Sequence, residues 1–298
     1  MSKYEYIDSQ KNDPSAVPNP VMKMCRWLGV STSGYYHWLT RPQSATAARR
    51  AVLAARIRVF FEASDGTYGY RRIHADLTAE SVECSPELVR QIMRQEALVP
   101  CQPRPFRVTT HANAQAAAAM PDLVKRNFTA DRPGVKFVGD ITYLHTWEGF
   151  VYLATVIDCF SKKVVGWAVA DHMRTELVET ALRNAAATTW ITPDAIWHSD
   201  RGSVYTSASF RSLVTRLGMR SSMGRTGVCW DNAMAESFFS ALTNERVHRT
   251  VYATKKQARR DVIAYIEGFY NSRRRHSGLG YRYPNEVHYS YAQPALAA

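Results

Sequence analysis

From Gly134 onward the chain reads first as strands and only then as alternating helices and strands, an order that restricts the fold more than any other feature. "VKFVGDITYLHT" and "FVYLATVID" are rich in β-branched and aromatic residues, and "KKVVGWAVAD" follows after a short turn, so three successive strands are expected to form an antiparallel meander. "TELVETALRNAAATTW" is then expected to be a helix capped by Thr175, "AIWHS" a strand, "SASFRSLVTRLG" a helix, "MRSSM" a short strand, and "DNAMAESFFSALTNERV" a helix. A mixed five-stranded α/β sheet covered by helices is the economical packing for that order.

The preceding residues are helical in pattern. In "PVMKMCRWLGVSTSGYYHWLTR" the first apolar face comes from Met22, Cys25, Trp27 and Leu28, Gly29 makes a turn, and Ser31 or Ser33 caps a second helix packed through Tyr35, Tyr36 and Trp38. This is a helix-turn-helix outline, assigned to residues 1–47. A second helical unit, 48–101, contains "ATAARRAVLAARIRVFFEA", "GTYGYRRIHADLTAE" and "SPELVRQIMRQEALV", the last with Ser85 as N-cap and Pro86 as first helical residue. Its outward arginines, Arg71 and Arg72 among them, suit a nucleic-acid module. Residues 102–133, with prolines at both ends and an alanine patch, are expected to be a linker. The catalytic core is expected over 134–250, and a basic helix and tail over 251–298.

Three carboxylates stand where carboxylates are costly or purposeful. Asp140 interrupts an apolar strand with no Lys or Arg within two positions, which demands a compensating positive partner. Asp200 follows "AIWHS", where the strand runs into an Arg-Gly turn, at the edge where open α/β sheets place ligands. Glu236 lies in the first turns of a helix beginning near Asp231 or Asn232. Ala233, three residues before it, cannot form a capping box with it. Two aspartates on strands and a glutamate on the next helix can converge on one face. Such an oxygen set suits a pair of Mg²⁺ ions, which keep waters and leave positions for phosphate oxygens. Asp158, by contrast, opens a turn between two strands and is read as structural.

Charge agrees with a polyanionic partner: 38 Lys and Arg oppose 26 Asp and Glu, a formal +12 over 298 residues. The longest apolar run, "FVYLATVI", is far short of the ~20 residues a membrane span needs, and the N-terminus is too polar for a signal peptide, so a cytoplasmic, nucleoid-associated protein is expected. Five scattered cysteines form no C-x-x-C pair and suggest reduced, structural thiols.

"VGDITYL", "HSDRGSVYTS", "WDNAMAESFF", "FYNSRRRHSGLGYRYPNEV", "GTYGYRRIHADL" and "LGVSTSGYYHW", in that arrangement over nearly the whole chain, resemble the second-reading-frame transposase of the bacterial IS-three family of insertion sequences. The resemblance implies a ribonuclease H-like, retroviral integrase-like core preceded by all-α helix-turn-helix regions. It implies that Asp140, Asp200 and Glu236 are the metal-binding Asp-Asp-Glu triad, with 35 residues between the last two. Asp231 and Asn232 would shape the loop before the catalytic helix, and His198, Arg201 and Gly202 the turn around Asp200. Where the family usually carries Lys or Arg, seven residues after the glutamate, this chain has Thr243, with Arg246 or Arg249 as substitutes. Arg273, Arg274 and Arg275, with "KKQARR" upstream, are expected to contact phosphates, and His276 to pack or contact phosphate rather than act as a base. Arg201 and Asn232 complete the expected DNA contacts.

The implied reaction is Mg²⁺-dependent cleavage at element ends, with Mn²⁺ as substitute, followed by 3′-hydroxyl strand transfer. The partners are double-stranded DNA, at least one further protomer, and an upstream-frame protein carrying a zipper. A catalytically inert DNA-binding regulator of the element and a ribonuclease H-like nuclease without strand transfer are the alternatives.

Overall fold

The protein is described from a computed structural model covering residues 2–12, 19–42, 44–101, 120–224 and 229–296. It divides into two compact units, Met1–Arg58 and Val59–Ala298. Among the described residues no helix is long and apolar enough to cross a membrane.

In the first unit α1 (Lys3–Asn12), α2 (Val21–Trp27) and α3 (Thr32–Thr40) precede α4 (Ala45–Ala63), which continues into the second. Ile7, Met24, Cys25 and Tyr35 form the first unit's centre, with Tyr4, Leu28 and Trp38 packed against it. Gly29 takes φ +63° at the turn between α2 and α3, a conformation that glycine adopts without strain. Ser31, not Ser33, is the N-cap, accepting the Gly34 N–H at 2.9 Å. α1 is too polar to show an apolar face in the sequence, and one buried residue, Ile7, anchors it.

The second unit begins with the end of α4, then α5 (Tyr70–Ala79) and α6 (Pro86–Gln95), where Ser85 caps by accepting the Leu88 N–H at 3.2 Å. The sheet follows: β1 (Lys136–Thr146), β2 (Gly149–Asp158) and β3 (Val164–Ala170), then α7 (Thr175–Thr188), β4 (Ile196–Ser199), α8 (Ser203–Thr206), α9 (Ala208–Arg216) and β5 (Arg220–Met223). Arg174, not Thr175, occupies the N-cap position of α7, and no side chain caps it. A 3₁₀ turn, Cys229–Asn232, leads into α10 (Ala233–Glu245). After it come α11 (Lys255–Ile263), extended by a π-helical stretch Ala264–Tyr270, and α12 (Pro284–Leu296).

The five strands lie in the order β3-β2-β1-β4-β5. The meander is antiparallel and β4 and β5 are parallel to β1, which is the ribonuclease H-like arrangement. On one face α7, α8 and α9 cover Phe137, Ala154, Val156 and Trp197; on the other α10, α11 and the π-helical stretch cover Val138, Leu144, Leu153 and Ile157.

The alanine-rich part of the expected linker lies outside the described residues. Its remainder, 120–133, packs on the core: Val124 is buried, and the Leu123 N–H donates to Ser222 Oγ at 2.9 Å. The chain after residue 251, expected as a basic helix and tail, also contributes to the core through Ala258, Val262, Ile266 and Tyr270. Buried Asn271 holds Val164 at the start of the edge strand through two 3.0 Å hydrogen bonds.

Candidate active site

Asp140 lies on β1 just past the residues that pair with β4. Val138 stands opposite His198, so continuing the parallel register by two residues brings Asp140 level with Asp200. The backbone there is tightly packed. The Trp197 ring lies against Gly139, where a Cβ would overlap it, so the residue before Asp140 must be glycine. Asp200 itself is exposed beyond the end of β4, its Oδ1 accepting the Gly202 N–H at 3.0 Å, a local turn that aims the side chain away from the core.

Glu236 arrives from the opposite direction, on the first turn of α10, whose Ala235, Phe238, Phe239 and Leu242 form a buried stripe. Three bonds fix that helix start beside the aspartates. Asn232 Nδ2 donates to the Gly139 carbonyl at 3.3 Å. His198 Nε2 lies 2.7 Å from the Asp231 carbonyl and so must carry the proton; its Nδ1 then accepts the Ser222 hydroxyl at 2.8 Å. Burial holds the His198 imidazole below its ordinary value, consistent with this neutral tautomer. The Asp231 carboxylate is paired with Arg126 at 2.8 Å.

The electrostatics at this edge are unbalanced. Burial pushes the Asp140 carboxyl up to about 7, and the charges of Asp200 and then Glu236 add to the rise, against one opposing bond from the Ile141 N–H at 2.8 Å. Glu236 is raised as well, by partial burial. Neither carboxylate has a basic partner among the described residues. Nor, among them, do three or more acid, histidine or cysteine side chains lie close enough together to hold a metal ion by themselves. The donor set nonetheless fits Mg²⁺, which takes one or two carboxylates and keeps waters in its remaining positions.

The integrase core domain model matches residues 130–229, a second integrase core domain model matches 217–284, and an HTH-like domain model matches 47–106. Over 285 residues the chain is 34% identical to the transposase InsF for insertion sequence IS3A of Escherichia coli, covering 93% of this chain and 95% of that one. The chain belongs to the IS3 family of insertion-sequence transposases. It is also 34% identical to the transposase for insertion sequence element IS904 of Lactococcus lactis, over 83% of this chain and 97% of that one. Among solved structures it is similar to a chain of the simian T-cell lymphotropic virus intasome, at 15% identity and TM-score 0.46, covering 72% of this chain and 69% of that one. The protein is thus a DNA transposase, a polynucleotidyl transferase with an integrase core.

The transposase holds most of its expected DNA-contacting side chains in internal bonds. Arg274 is buried and donates through Nε and Nη2 to both oxygens of Glu245, at 2.7 and 2.5 Å. Tyr265 OH donates to the same carboxylate at 2.8 Å, and Arg72 lies 3.3 Å from it. Burial alone would raise Glu245, but these donors, Arg274 foremost, hold it below its usual value. Arg275 pairs with Asp76 at 2.5 Å. His276 is pushed down to about 3 by burial and by the Arg274 charge, so it is neutral and cannot accept a proton in the working pH range. Arg274 and Arg275, expected to contact phosphates, are thus engaged in ion pairs that join α5 to the core, and His276 packs against Tyr270 and Arg274, the packing alternative expected for it.

Arg246 is likewise committed to Asp261 at 2.6 Å and Asp65 at 3.2 Å, while Arg249 lies 3.4 Å from Asp65. Arg201 donates to the Gly224 carbonyl at 2.6 Å and braces the turn after Asp200. Arg71, which donates to Tyr70 OH, and Arg273, which donates to the Gly268 carbonyl, remain exposed. Asp158 is the structural turn residue expected, accepting from Gly134 N–H, Ser161 N–H and Ser161 Oγ.

Glu245 was missed by sequence reasoning, though its signal is present. It continues the stripe 235, 238, 239, 242 to 245, and a carboxylate in an apolar stripe requires a buried cationic partner.

Proposed function

We propose that this transposase cuts DNA at the ends of its insertion sequence and joins the freed 3′-hydroxyl to another phosphodiester, with Asp140, Asp200 and Glu236 holding two divalent cations, Mg²⁺ or Mn²⁺. The observation that carries this reading is Asp140: a half-buried carboxyl, level with a second aspartate, within the electrostatic reach of Glu236 and without a cationic partner among the described residues. Held by these three carboxylates, divalent cations would supply Lewis-acid activation of the attacking hydroxyl and charge stabilisation at the leaving oxygen.

The protein's own contribution is positional. The Ile141 N–H holds one Asp140 oxygen, the Gly202 N–H holds one Asp200 oxygen, and Asn232 and His198 fix the start of the helix that presents Glu236. Two element ends have to be held together for joining, so the active form is an assembly of at least two protomers on double-stranded DNA. The protein supplied by an upstream reading frame contributes further end recognition. Exposed Arg71 and Arg273 are assigned to the DNA backbone.

The test is strand cleavage and joining on labelled DNA carrying the element's ends, with Mg²⁺ or Mn²⁺, comparing wild type with Asp200→Asn. Metal-dependent joined product that disappears in the variant supports the reading. Joined product from the variant at the wild-type rate contradicts it.

A further inference from the structure

Two buried hydroxyls near the carboxylates have no hydrogen-bond partner among the described residues: Thr155 Oγ1 and Tyr205 OH. Thr155 is the residue directly opposite Asp140 in the antiparallel β1–β2 pair, so both side chains leave the sheet on the same face, with Cβ atoms roughly 5 Å apart. Tyr205 is on α8, just after the Asp200 turn, and the charges of both Asp140 and Asp200 reach its hydroxyl. Its ring is clamped between Trp197 and Phe210, at centroid distances of 6.2 and 5.5 Å, so the phenol cannot swing out to water. An unpartnered buried hydroxyl costs about 1–3 kcal/mol, which Phe at 205 or Val at 155 would avoid at nearly the same volume. Their retention next to a carboxyl with a single hydrogen bond calls for a role at that carboxyl.

We propose that Tyr205 and Thr155 are positioning residues whose hydroxyls donate to the outer lone pairs of the Asp140 and Asp200 carboxylates in the metal-loaded enzyme, fixing which oxygens face the ions. The inference rests on the reading that these carboxylates hold divalent metal. A hydroxyl donating to a carboxylate makes a short, charge-assisted bond. Outer partners of metal ligands typically change metal affinity by roughly 10- to 100-fold. Because Thr155 lies directly opposite Asp140, a turn about its χ1 redirects its hydroxyl toward that carboxylate.

The experiment is calorimetric titration of Mn²⁺ into the full chain, for wild type, Tyr205→Phe, Thr155→Val, Thr155→Ser and Asp140→Asn, with thermal denaturation of each without metal. Tyr205→Phe is expected to weaken Mn²⁺ roughly 10-fold while its metal-free Tm is unchanged or higher. Thr155→Val is expected to weaken it less, and Thr155→Ser to keep wild-type affinity. If Tyr205→Phe and Thr155→Val both bind like wild type while Asp140→Asn does not bind, the two hydroxyls have no such role and the metal reading survives. If Asp140→Asn binds like wild type, the metal reading itself fails and takes this inference with it.

Discussion

The two ends of α10 carry one glutamate each, and the environments built around them are opposite. At the C-terminal end Glu245 is buried, accepts from Arg274, Arg72 and Tyr265, and is held below its ordinary pKa by them. At the N-terminal end Glu236 is exposed, raised, and without an ion pair among the described residues, next to an Asp140 raised to about 7. Around Glu245 every charge is answered by the chain. Around Glu236 and Asp140 polar atoms are left over, including Asn232 Oδ1, Thr155 Oγ1 and Tyr205 OH. The same helix thus joins a completed electrostatic site, which holds the fold, to an incomplete one, where we propose that divalent cations bind. Proteins concentrate such uncompensated groups where function needs them, at a cost in stability.

The sharpest separation is in activity. Asp140→Asn is expected to lower strand cleavage by roughly 10³-fold or more, since it removes a proposed ligand of metal-ion catalysis worth several kcal/mol. Its metal-free Tm should be unchanged or higher, because the variant no longer buries an unpaired acid. A large fall in Tm would show that Asp140 is structural after all. Glu245→Ala is expected to do the reverse, costing about 3–5 kcal/mol of stability by leaving Arg274 buried and unpaired. Urea denaturation measures this, and a loss below about 1 kcal/mol would break the contrast.

Acid should expose the completed end next. Glu245 has a lowered pKa in the folded state, so its contribution is present above its unfolded value of 4.5 and disappears as pH falls through the folded value. His276, lowered from 6.5 to about 3, stays neutral when folded but takes up a proton when unfolded, so stability is lost progressively as pH falls from 6.5 toward 3. Both act in the same direction. His276→Gln is expected to flatten the fall in Tm between pH 6.5 and 5, and an unchanged slope would contradict the burial argument. The smallest effects belong to exposed arginines: Arg71→Ala and Arg273→Ala should each reduce the salt dependence of DNA binding by about one unit of slope, with Tm unaltered.

Much of this was legible in the sequence, for identifiable reasons. The five strands and the helices between them announce themselves through β-branched runs and caps such as Ser85-Pro86, because period and capping are local properties. Asp140 stood out because it interrupts an apolar strand, and the strand register sets it level with Asp200. Pairing was not legible. The run Arg273-Arg274-Arg275-His276 reads as a solvent-facing phosphate clamp, yet its partners, Glu245 and Asp76, are 29 and 199 residues away in the chain. Charge in a sequence gives its sign; only the fold tells whether it is already neutralised. The polar helix α1 escaped notice for a related reason, since a single buried Ile7 leaves no periodic trace.

The contrast between the two ends of α10 is tested most directly by the Mn²⁺-induced change in Tm for wild type, Glu236→Gln and Glu245→Gln. Ligand binding to the folded state alone raises stability, so wild type should gain Tm with Mn²⁺. Glu236→Gln should keep the metal-free Tm and lose most of that gain, whereas Glu245→Gln should start from a lower Tm and keep the gain. A Glu236→Gln protein that retains the full Mn²⁺ gain, beside a Glu245→Gln protein that loses it, would contradict the account.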